Sequence, residues 1–311
     1  MKIIGTSGVS VLLAAQVMMR HKPVVYLSDT DLSNHHSAVL RFKSDAISKF
    51  LNIPFKEVII SKAISYRGKL YNESSIGFQN MYSQKVTGKV INRSIGSMES
   101  DVRYVAPDNF FECLQIGLNI KLGCNLIDEA FNRDFNEPVL SYIKMPNMMK
   151  KVNEIGDIHI DIPEFKYSPV YTVNVKILDP EVSVYQTIYY PGSEMYYRAS
   201  ITKNNLIIEY IKRPSDEDIT NDIKVILEEG FKIKSYTLDT FKFNELPVGK
   251  MSPIDDEIRC QFIYDLTTRY NIYSFGRNGI WRSIRLDQLF SDIHKIDRMI
   301  SSNNYYRNLL R

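Results

Sequence analysis

The chain has 311 residues, of which 44% are hydrophobic and 12% aromatic, and its formal net charge is +3 at pH 7. This composition supports a sizeable core and excludes extensive disorder, while the charge is too small to indicate nucleic-acid binding by itself. No apolar run approaches the roughly 20 residues that a membrane-spanning helix requires. The three cysteines lack the spacing of a metal site. We therefore expect a cytoplasmic globular protein with no signal peptide, no membrane segment and no metal site.

The first 31 residues have the pattern of a βαβ unit, with which many nucleotide-binding folds begin. Three apolar segments predict a strand, a helix and a second strand: Lys2–Ile4, Val9–Arg20 and Val24–Leu27. Their combined length matches that of a strand–turn–helix–strand unit. Because such units hold a phosphate at the helix N-terminus, the turn before the helix is the first candidate site.

That turn, GTSGVS at residues 5–10, contains the small and polar residues that a phosphate site needs. Its glycines, Gly5 and Gly8, allow a tight turn and a close ligand, and the hydroxyls of Ser7 and Ser10 add donors. Val11 stands where G-x-G-x-x-G has its third glycine, which serves helix–strand packing. We expect Val11 to push the helix slightly from the strand and leave the phosphate site in place. A turn without ligand is the alternative.

A carboxylate and a polar segment follow the second strand. Asp29 lies about 20 residues after Gly8, where dinucleotide-binding proteins place the acid that contacts the ribose. In SNHHSAVLRFKSD, residues 33–45, Arg41 is a candidate for the pyrophosphate, and His35 and His36 are candidates for positions near the reactive ring. The alternatives are a turn aspartate and a polar loop.

Residues 46–150 have a mixed pattern. The predicted elements are helices at Ala46–Leu51 and from Asn109 to about Leu118, strands at Val58–Tyr66, Lys69–Tyr71 and Val139–Ile143, and a Met-rich turn at Met145–Met149. The basic stretch at residues 80–94, with Lys85, Lys89 and Arg93, predicts a solvated loop. A mobile basic loop at the site is the alternative.

Residues 168–245 change to the period of two that is typical of strands. The alternation and the turn at Lys203–Asn205 predict an antiparallel sheet, followed by a helix that is capped near Ser215 and stops at Gly230, and by a strand at Phe231–Leu238. In YYPGSEMYYRASI, residues 189–201, we expect most tyrosines to face the sheet core. Arg198 is the candidate for contact with a carboxylate, a phosphate or a base.

The C-terminal stretch SFGRNGIWRSIRLDQLF, residues 274–290, is the second candidate ligand loop. Gly276 and Gly279 permit close approach of the backbone, and Arg277 offers a forked pair of donors. The helix that starts near Asp287 offers free N–H groups at its N-terminus. The alternative is a loop in which Trp281 covers the core.

Together, the βαβ start, the late Gly-Arg-x-Gly-x-Trp element and the closing helix resemble FAD-dependent oxidoreductases of the glutathione reductase-like and amine oxidase class. FGRNGIWRSIRLDQLF is similar to the closing motif of the UDP-galactopyranose mutases. This resemblance implies FAD as the cofactor, with Arg277 and Trp281 in the loop beside the flavin and Asp287 and Gln288 near its ribityl chain. HHSAVLRF, residues 35–42, also resembles phage-encoded flavoproteins of DNA base hypermodification.

The resemblance implies an α/β fold with a Rossmann-like FAD-binding domain built from both chain ends. Residues 1–165 and 245–311 form this domain, and residues 166–244 form an inserted antiparallel sheet that covers the substrate. The expected function is oxidation of an amine-type substrate at a C–N or adjacent C–H bond by hydride transfer to the flavin. His35, His36, Arg277 and Arg198 are the predicted catalytic residues.

Three alternatives remain open at this point. The first is a flavin-dependent lyase or oxidase that acts on an amino-acid-modified thymine base in phage DNA, which makes DNA a candidate partner. The second is non-redox, mutase-like chemistry on a sugar nucleotide. The third is an interaction module that binds no cofactor, which the valine in place of the third glycine suggests.

Overall fold

The computed structural model describes residues 1–6, 8–32, 40–90, 95–132, 134–178 and 183–309, with side chains through residue 302. The strands of this part of the chain are β1 Lys2–Gly5, β2 Val24–Leu27, β3 Arg41–Phe42, β4 Lys56–Ile60, β5 Lys62–Tyr66, β6 Lys69–Tyr71, β7 Asp101–Val105, β8 Asn119–Lys121, β9 Val139–Ser141, β10 Tyr167–Leu178, β11 Thr187–Tyr189, β12 Tyr196–Thr202, β13 Asn205–Tyr210, β14 Thr237–Met251 and β15 Ile272–Ser274. The helices are α1 Val9–Val17, α2 Ala46–Leu51, α3 Ile76–Thr87, α4 Phe110–Cys113, α5 Leu126–Phe131, α6 Met145–Ile155, α7 Asp216–Val225, α8 Asp256–Tyr270, α9 Gly276–Gly279 and α10 Leu286–Leu309.

Five strands form a parallel sheet in the spatial order β8-β2-β1-β9-β15. Numbered by their place in the chain, these strands have the order 3-2-1-4-5, which is that of nucleotide-binding α/β folds. One face packs on α1 and α10, and the other face packs on α5, α6 and α8. Seven of the nine residues of α1 are buried, which is why its sequence is apolar on nearly all sides.

The two ends of the chain meet in this sheet. Strand β15 completes its edge, and α10 packs along α1 through Leu289, Phe290 and Ile293. The carboxylate of Asp297, which is buried in α10, accepts hydrogen bonds from Arg20 (2.9 Å) and lies 2.7 Å from the His21 imidazole. The N-terminal βαβ unit and the C-terminal helix therefore form one core.

A seven-stranded sheet in the order β14-β10-β13-β12-β11-β5-β6 is inserted between these ends. All its neighbouring strands are antiparallel except the pair β11 and β5. The sheet takes two strands from residues 62–71, and β14 crosses the predicted boundary at 244/245. The helix α7 covers one face, and α3 covers part of the other. A small third sheet has the order β3-β7-β4.

The strand predicted at Val58–Tyr66 is two strands in two sheets, which corrects the prediction. The chain leaves one sheet at Ser61, whose backbone N–H donates to the side chain of Gln186 at 2.8 Å. The carbonyl of Ser61 accepts from the backbone N–H groups of Gln186 and Thr187. These bonds start the β5–β11 pairing and separate it from β4.

The predicted Met-rich turn at Met145–Met149 is the first part of α6. Its buried residues, Met145, Met148, Met149 and Val152, have the spacing of a helix face, and Gly156 ends the helix with φ +83°. This spacing is a signal that the sequence contained.

Part of the predicted solvated loop at residues 80–94 belongs to α3, which Ser75 caps at its N-terminus. Lys85 is nearly buried there, and its ammonium group donates to the carbonyls of Tyr190 and Tyr196 at 2.7 Å each. Arg93 lies outside the described residues. The loop prediction is therefore wrong for the part of the stretch that α3 contains.

Two further elements have other bounds than predicted. The helix expected from Asn109 to about Leu118 ends at Cys113, and turns follow it to Gly117. The strand expected at Phe231–Leu238 begins only at Thr237, because Phe231 and Ile233 enter the core beneath α7. None of the described helices has the length and apolar composition of a membrane span.

Candidate functional site

A cleft of about 510 Å³ opens at the carboxyl ends of β1, β9 and β15. The residues that follow these strands, Thr6, Tyr142 and Gly276, line it, together with residues 246–249 of β14 and the start of α10. Since β2 and β9 lie on opposite sides of β1, the cleft is at the point where the strand order reverses. Open α/β sheets bind their ligands at this point, in pockets of about 300–1,000 Å³.

The N-terminus of α1 points into this cleft with its backbone donors available. Gly8 is the residue before the helix, none of the described side chains caps it, and its first turn contains no acidic residue. A Cβ atom built on Gly8 would meet no atom within 4 Å. The first N–H groups of a helix have no partner within the helix, and the helix dipole favours negative charge there. The turn can therefore accept a phosphate.

Gly5 takes over the packing role of the missing third glycine. A Cβ on Gly5 would lie 2.7 Å from the Cγ2 atom of Val11 and 3.0 Å from the Cβ atom of Tyr142. The strand thus has the small residue and the helix has the large one. Val11 is buried in the space that Gly5 leaves, so it need not push the helix away as we expected.

The cleft is positively charged. Lys144, Arg277 and Arg285 line it, and no aspartate or glutamate does so among the described residues. The guanidinium of Arg277 donates to the Gly249 carbonyl at 2.7 Å and to the sulfur of Met251 at 3.0 Å. Burial lowers the pKa of Arg277 below its ordinary value but leaves it a cation at neutral pH. The charge favours an anionic ligand.

Tyr142 forms the floor of the cleft between the two chain ends. A Cβ on Gly276, where φ is +69°, would lie 2.3 Å from its ring, and a Cβ on Gly279 would lie 2.8 Å from the Ser141 carbonyl oxygen. Burial raises the pKa of Tyr142, while the Ser10 hydroxyl and the Arg277 cation partly oppose the rise. The two glycines of the C-terminal loop thus permit its packing on the end of β9.

Three predicted cofactor contacts lie beside the cleft rather than in its lining. Trp281 is 2% exposed, and its indole N–H donates to the Ser252 carbonyl at 3.0 Å. The carboxylate of Asp287 accepts from the backbone N–H of Lys43 at 3.2 Å, and the Gln288 side chain accepts from the Arg285 N–H at 3.0 Å. The bonds of Asp287 and Gln288 fix the start of α10.

Two further candidates lie at other places. Asp29 follows β2 and is half-buried, and its carbonyl accepts from the Gly123 N–H at 2.9 Å. Arg41 reaches the antiparallel sheet, where it donates to the Thr187 hydroxyl at 3.3 Å and to the Ile201 carbonyl at 3.0 Å. Ser7, His35 and His36 lie outside the described residues.

Arg198 and the tyrosines lie on the antiparallel sheet. The Arg198 guanidinium forms an ion pair with the carboxylate of Glu209 on β13, with one contact of 2.7 Å. Four tyrosines are buried in pairs on opposite faces of the sheet, Tyr190 and Tyr196 on the α7 side and Tyr189 and Tyr197 on the α3 side.

The structure thus brings four predicted site residues into the cleft lining: Gly8, Ser10, Gly276 and Arg277. Sequence reasoning missed Tyr142, Lys144, Asn278 and Arg285. A signal existed for the first two, because Tyr142 lies near the end of the strand predicted at Val139–Ile143 and Lys144 follows that strand. The ends of parallel strands converge at one edge of the sheet.

No family model matches the chain, and no curated protein matches it. Solved structures do match. Reduced UDP-galactopyranose mutase has a TM-score of 0.68 at 12% identity, over 96% of this chain and 95% of that one. The p-nitrophenol 4-monooxygenase PnpA from Pseudomonas putida DLL-E4 has a TM-score of 0.55 at 10% identity, over 96% and 78%. A geranylgeranyl bacteriochlorophyll reductase-like protein from Thermoplasma acidophilum has 0.53 at 11%, over 98% and 79%.

At these identities the likeness concerns the fold. The chain shares with a mutase, a monooxygenase and a reductase-like protein a parallel Rossmann-like sheet and an inserted antiparallel sheet. The predicted fold class, a Rossmann-like parallel sheet with an inserted antiparallel sheet, is confirmed.

Proposed function

We propose that this chain is a flavin-dependent oxidoreductase that binds FAD in the cleft. The observation that carries the proposal is the lining of the cleft, which joins the open N-terminus of α1 to three cations with no carboxylate among the described lining residues. A dinucleotide needs such a place for its pyrophosphate, and FAD is the dinucleotide that the resemblance and the fold support.

The residues present fit this group. Gly8 leaves open space at the helix N-terminus, and the exchange of sizes between Gly5 and Val11 preserves close helix–strand packing. The α1 N–H groups and the hydroxyl of Ser10 would hold the pyrophosphate. Arg277 and Arg285 would neutralise its charge from the opposite wall, and Asp29 at the end of β2 would bind the ribose.

FAD, when bound, supplies the redox chemistry by accepting a hydride from the substrate. The residues of the chain itself orient the bound groups and shield them from water. The Gly249 carbonyl fixes the Arg277 guanidinium, which keeps further N–H donors for a ligand oxygen. Leu246, Val248 and Ile284 line the cleft with apolar side chains that would shield a bound ligand from water. The amine-type substrate and a base role for His35 or His36 belong to this proposal.

The absorbance spectrum of the purified protein tests the proposal, with a fluorescence titration of added FAD. We expect flavin absorbance and saturable binding. Gly8→Asp should weaken FAD binding on the order of tenfold or more with little change in stability, because it places a negative charge at an open position. Gly96→Asp adds the same charge at an exposed position away from the cleft and is the control. A colourless protein that ignores added FAD would contradict the proposal.

Mutase-like chemistry on a sugar nucleotide is the second candidate function. The observation that favours it is the TM-score of 0.68 with reduced UDP-galactopyranose mutase over nearly the whole of both chains. A turnover that requires prior reduction of the flavin and gives no net oxidation of the substrate would support it over the oxidoreductase. An exposed basic loop at residues 80–94 would have favoured the modified-DNA alternative. Lys85 of this stretch is nearly buried in α3, where it donates to two carbonyls, so it does not provide that support.

A further inference from the structure

One face of the antiparallel sheet has polar side chains at neighbouring positions of three strands. The pairing places Thr187 opposite Ser200, Tyr189 opposite Arg198, and Arg198 opposite Glu209. Since Arg198 and Ser200 are two residues apart on one strand, their side chains project from the same face about 7 Å apart. Arg41 approaches this face at the level of Thr187 and Ser200.

The two arginines of this face differ in their partners. Arg198 faces a carboxylate, and its side chain is nevertheless 39% exposed, so a ligand can reach it. Arg41 is largely buried, and its described partners are a hydroxyl and a carbonyl, neither of which has a formal charge. The neighbouring Arg103 pairs with Asp101 at 2.9 Å. Among the described residues, Arg41 therefore adds a positive charge to the face that no carboxylate balances.

This arrangement is costly without an anion. A buried cation is stabilised when an opposite charge approaches it, and burial together with the Arg198 charge lowers the pKa of Arg41 to about 10. Each guanidinium has five N–H donors, of which the described bonds use two on Arg41 and two on Arg198. Donors thus remain on both side chains for the oxygens of a ligand, and the two guanidinium groups are near enough for the charge of Arg198 to act on Arg41.

We propose that Arg41 and Arg198 bind an oxyanion at this face of the sheet, and that this oxyanion is a carboxylate or phosphate group of the substrate. The second half of the proposal rests on the proposed function, while the anion site itself does not. The substrate is then an anionic molecule held by the inserted sheet, with its reacting part directed toward the cleft. An amine-type substrate would carry an acidic group as well.

Calorimetric titration with inorganic phosphate and with acetate, at constant ionic strength set by NaCl, tests the site on protein saturated with FAD. We expect binding that weakens on the order of tenfold in Arg41→Gln, because a charge-assisted pair is lost. Arg41→Lys keeps the charge but lacks the fork, so it should bind with intermediate affinity. Arg269→Gln removes a guanidinium of an exposed pair on α8 and should bind like the wild type. The anion that binds more tightly indicates whether the ligand group is a phosphate or a carboxylate.

A second variant separates this site from the cleft. Arg277→Gln should weaken FAD binding and leave phosphate binding at the sheet unchanged. Arg41→Gln should weaken phosphate binding and leave FAD binding unchanged. The loss of phosphate binding in Arg41→Gln is expected even if the protein binds no flavin, in which case the titration uses the free protein, so the two proposals fail independently. The proposal would be overturned if each anion bound with the same affinity to the wild type, Arg41→Gln and Arg41→Lys. It would also be overturned if neither phosphate nor acetate bound the wild type more tightly than chloride does.

Discussion

The parallel and antiparallel sheets of this molecule present polar groups in different ways. In the parallel sheet both faces are covered by helices, and ligand-binding groups are found only where the strands end. In the antiparallel sheet one face is covered by α7, while charged side chains project from the other beside α3. In our two proposals, the first region binds its ligand through backbone donors and the space that glycines leave, and the second region through side-chain charge. Substitutions in the first should act through shape, and those in the second through electrostatics.

The largest effect is expected from Gly276→Ala in the parallel region. The new Cβ would combine a left-handed backbone angle with a contact 2.3 Å from the Tyr142 ring. We expect a loss of about 2–5 kcal/mol in the free energy of unfolding, together with loss of FAD binding because Tyr142 must move. Urea unfolding and flavin titration measure the two effects.

Gly88→Ala is the matched control, because Gly88 has nearly the same φ, +70°, and a Cβ there would meet nothing within 4 Å. It should cost about 1–2 kcal/mol, the backbone term alone. If both variants lose the same free energy of unfolding, the close contact of Gly276 with Tyr142 adds nothing to the loss. Steric fit would then not determine the effect of substitutions in this region.

In the antiparallel region, Glu209→Gln should destabilise by about 1–3 kcal/mol. The change keeps the shape of the side chain and leaves Arg198 beside Arg41 without its carboxylate. Because Arg198 is 39% exposed, water screens part of this loss. Glu154→Gln, at an exposed pair on α6, should change stability by less than about 0.5 kcal/mol. The same Glu209 variant should bind phosphate more tightly than the wild type, since Arg198 then has more donors free.

The pH dependence of this variant gives an independent check. Burial alone would raise the pKa of Glu209, but the charge and hydrogen bonds of Arg198, together with the Lys250 charge and the Tyr197 hydroxyl, more than offset this effect. The pKa therefore lies below its ordinary value of 4.5. The carboxylate thus stabilises the fold fully above pH 4.5 and progressively less as the pH falls through the lower folded-state pKa. Unfolding curves of wild type and variant should converge in acid. If the difference in the free energy of unfolding between wild type and Glu209→Gln stayed constant as the pH fell below 4.5, the charge of Glu209 would not be the cause of the destabilisation.

The smallest effect is a coupling between Gly5 and Val11. Gly5→Ala should destabilise because its Cβ would lie 2.7 Å from Val11, and Val11→Ala removes the atom concerned. The double variant should therefore be about 0.5–1.5 kcal/mol more stable than the sum of the single effects. Strict additivity, measured by urea unfolding of the four proteins, would show that the two residues do not exchange sizes.

Much of the parallel region could be predicted from the sequence because its signals are local. The largely apolar α1, the strand before it and the small residues between them lie within about 30 residues. The alternation in β10, β12 and β13 likewise predicts an antiparallel sheet from neighbouring residues. The placement of Tyr142 at the edge of the parallel sheet could also have been predicted, because it lies near the end of the strand predicted at Val139–Ile143.

The contacts of Arg41 and Lys85 could not be predicted in this way. Arg41 finds its partners on strands that begin at Thr187 and Tyr196, and Lys85 donates to carbonyls on both sides of a turn in the same part of the sheet. No periodicity links residues so distant in sequence. The local sequence around a basic residue in a polar stretch is the same whether water or a carbonyl accepts its hydrogen bonds. Tertiary packing therefore decides whether the side chain is exposed or buried.

The cleft takes its two walls from opposite ends of the chain, residues 6–11 and residues 276–289. On the ribosome, the βαβ unit leaves the exit tunnel long before the loop that faces it. The N-terminal wall must wait for the inserted sheet to be synthesised before a ligand can be enclosed. A fragment that ends within α8 retains α1 and its open N-terminus but lacks Arg277, Arg285 and the helix that covers α1. In our proposal, a ligand can therefore be enclosed only after synthesis through residue 289. Chains that lack α10 leave apolar surface of α1 uncovered, and proteases and chaperones recognise such surface.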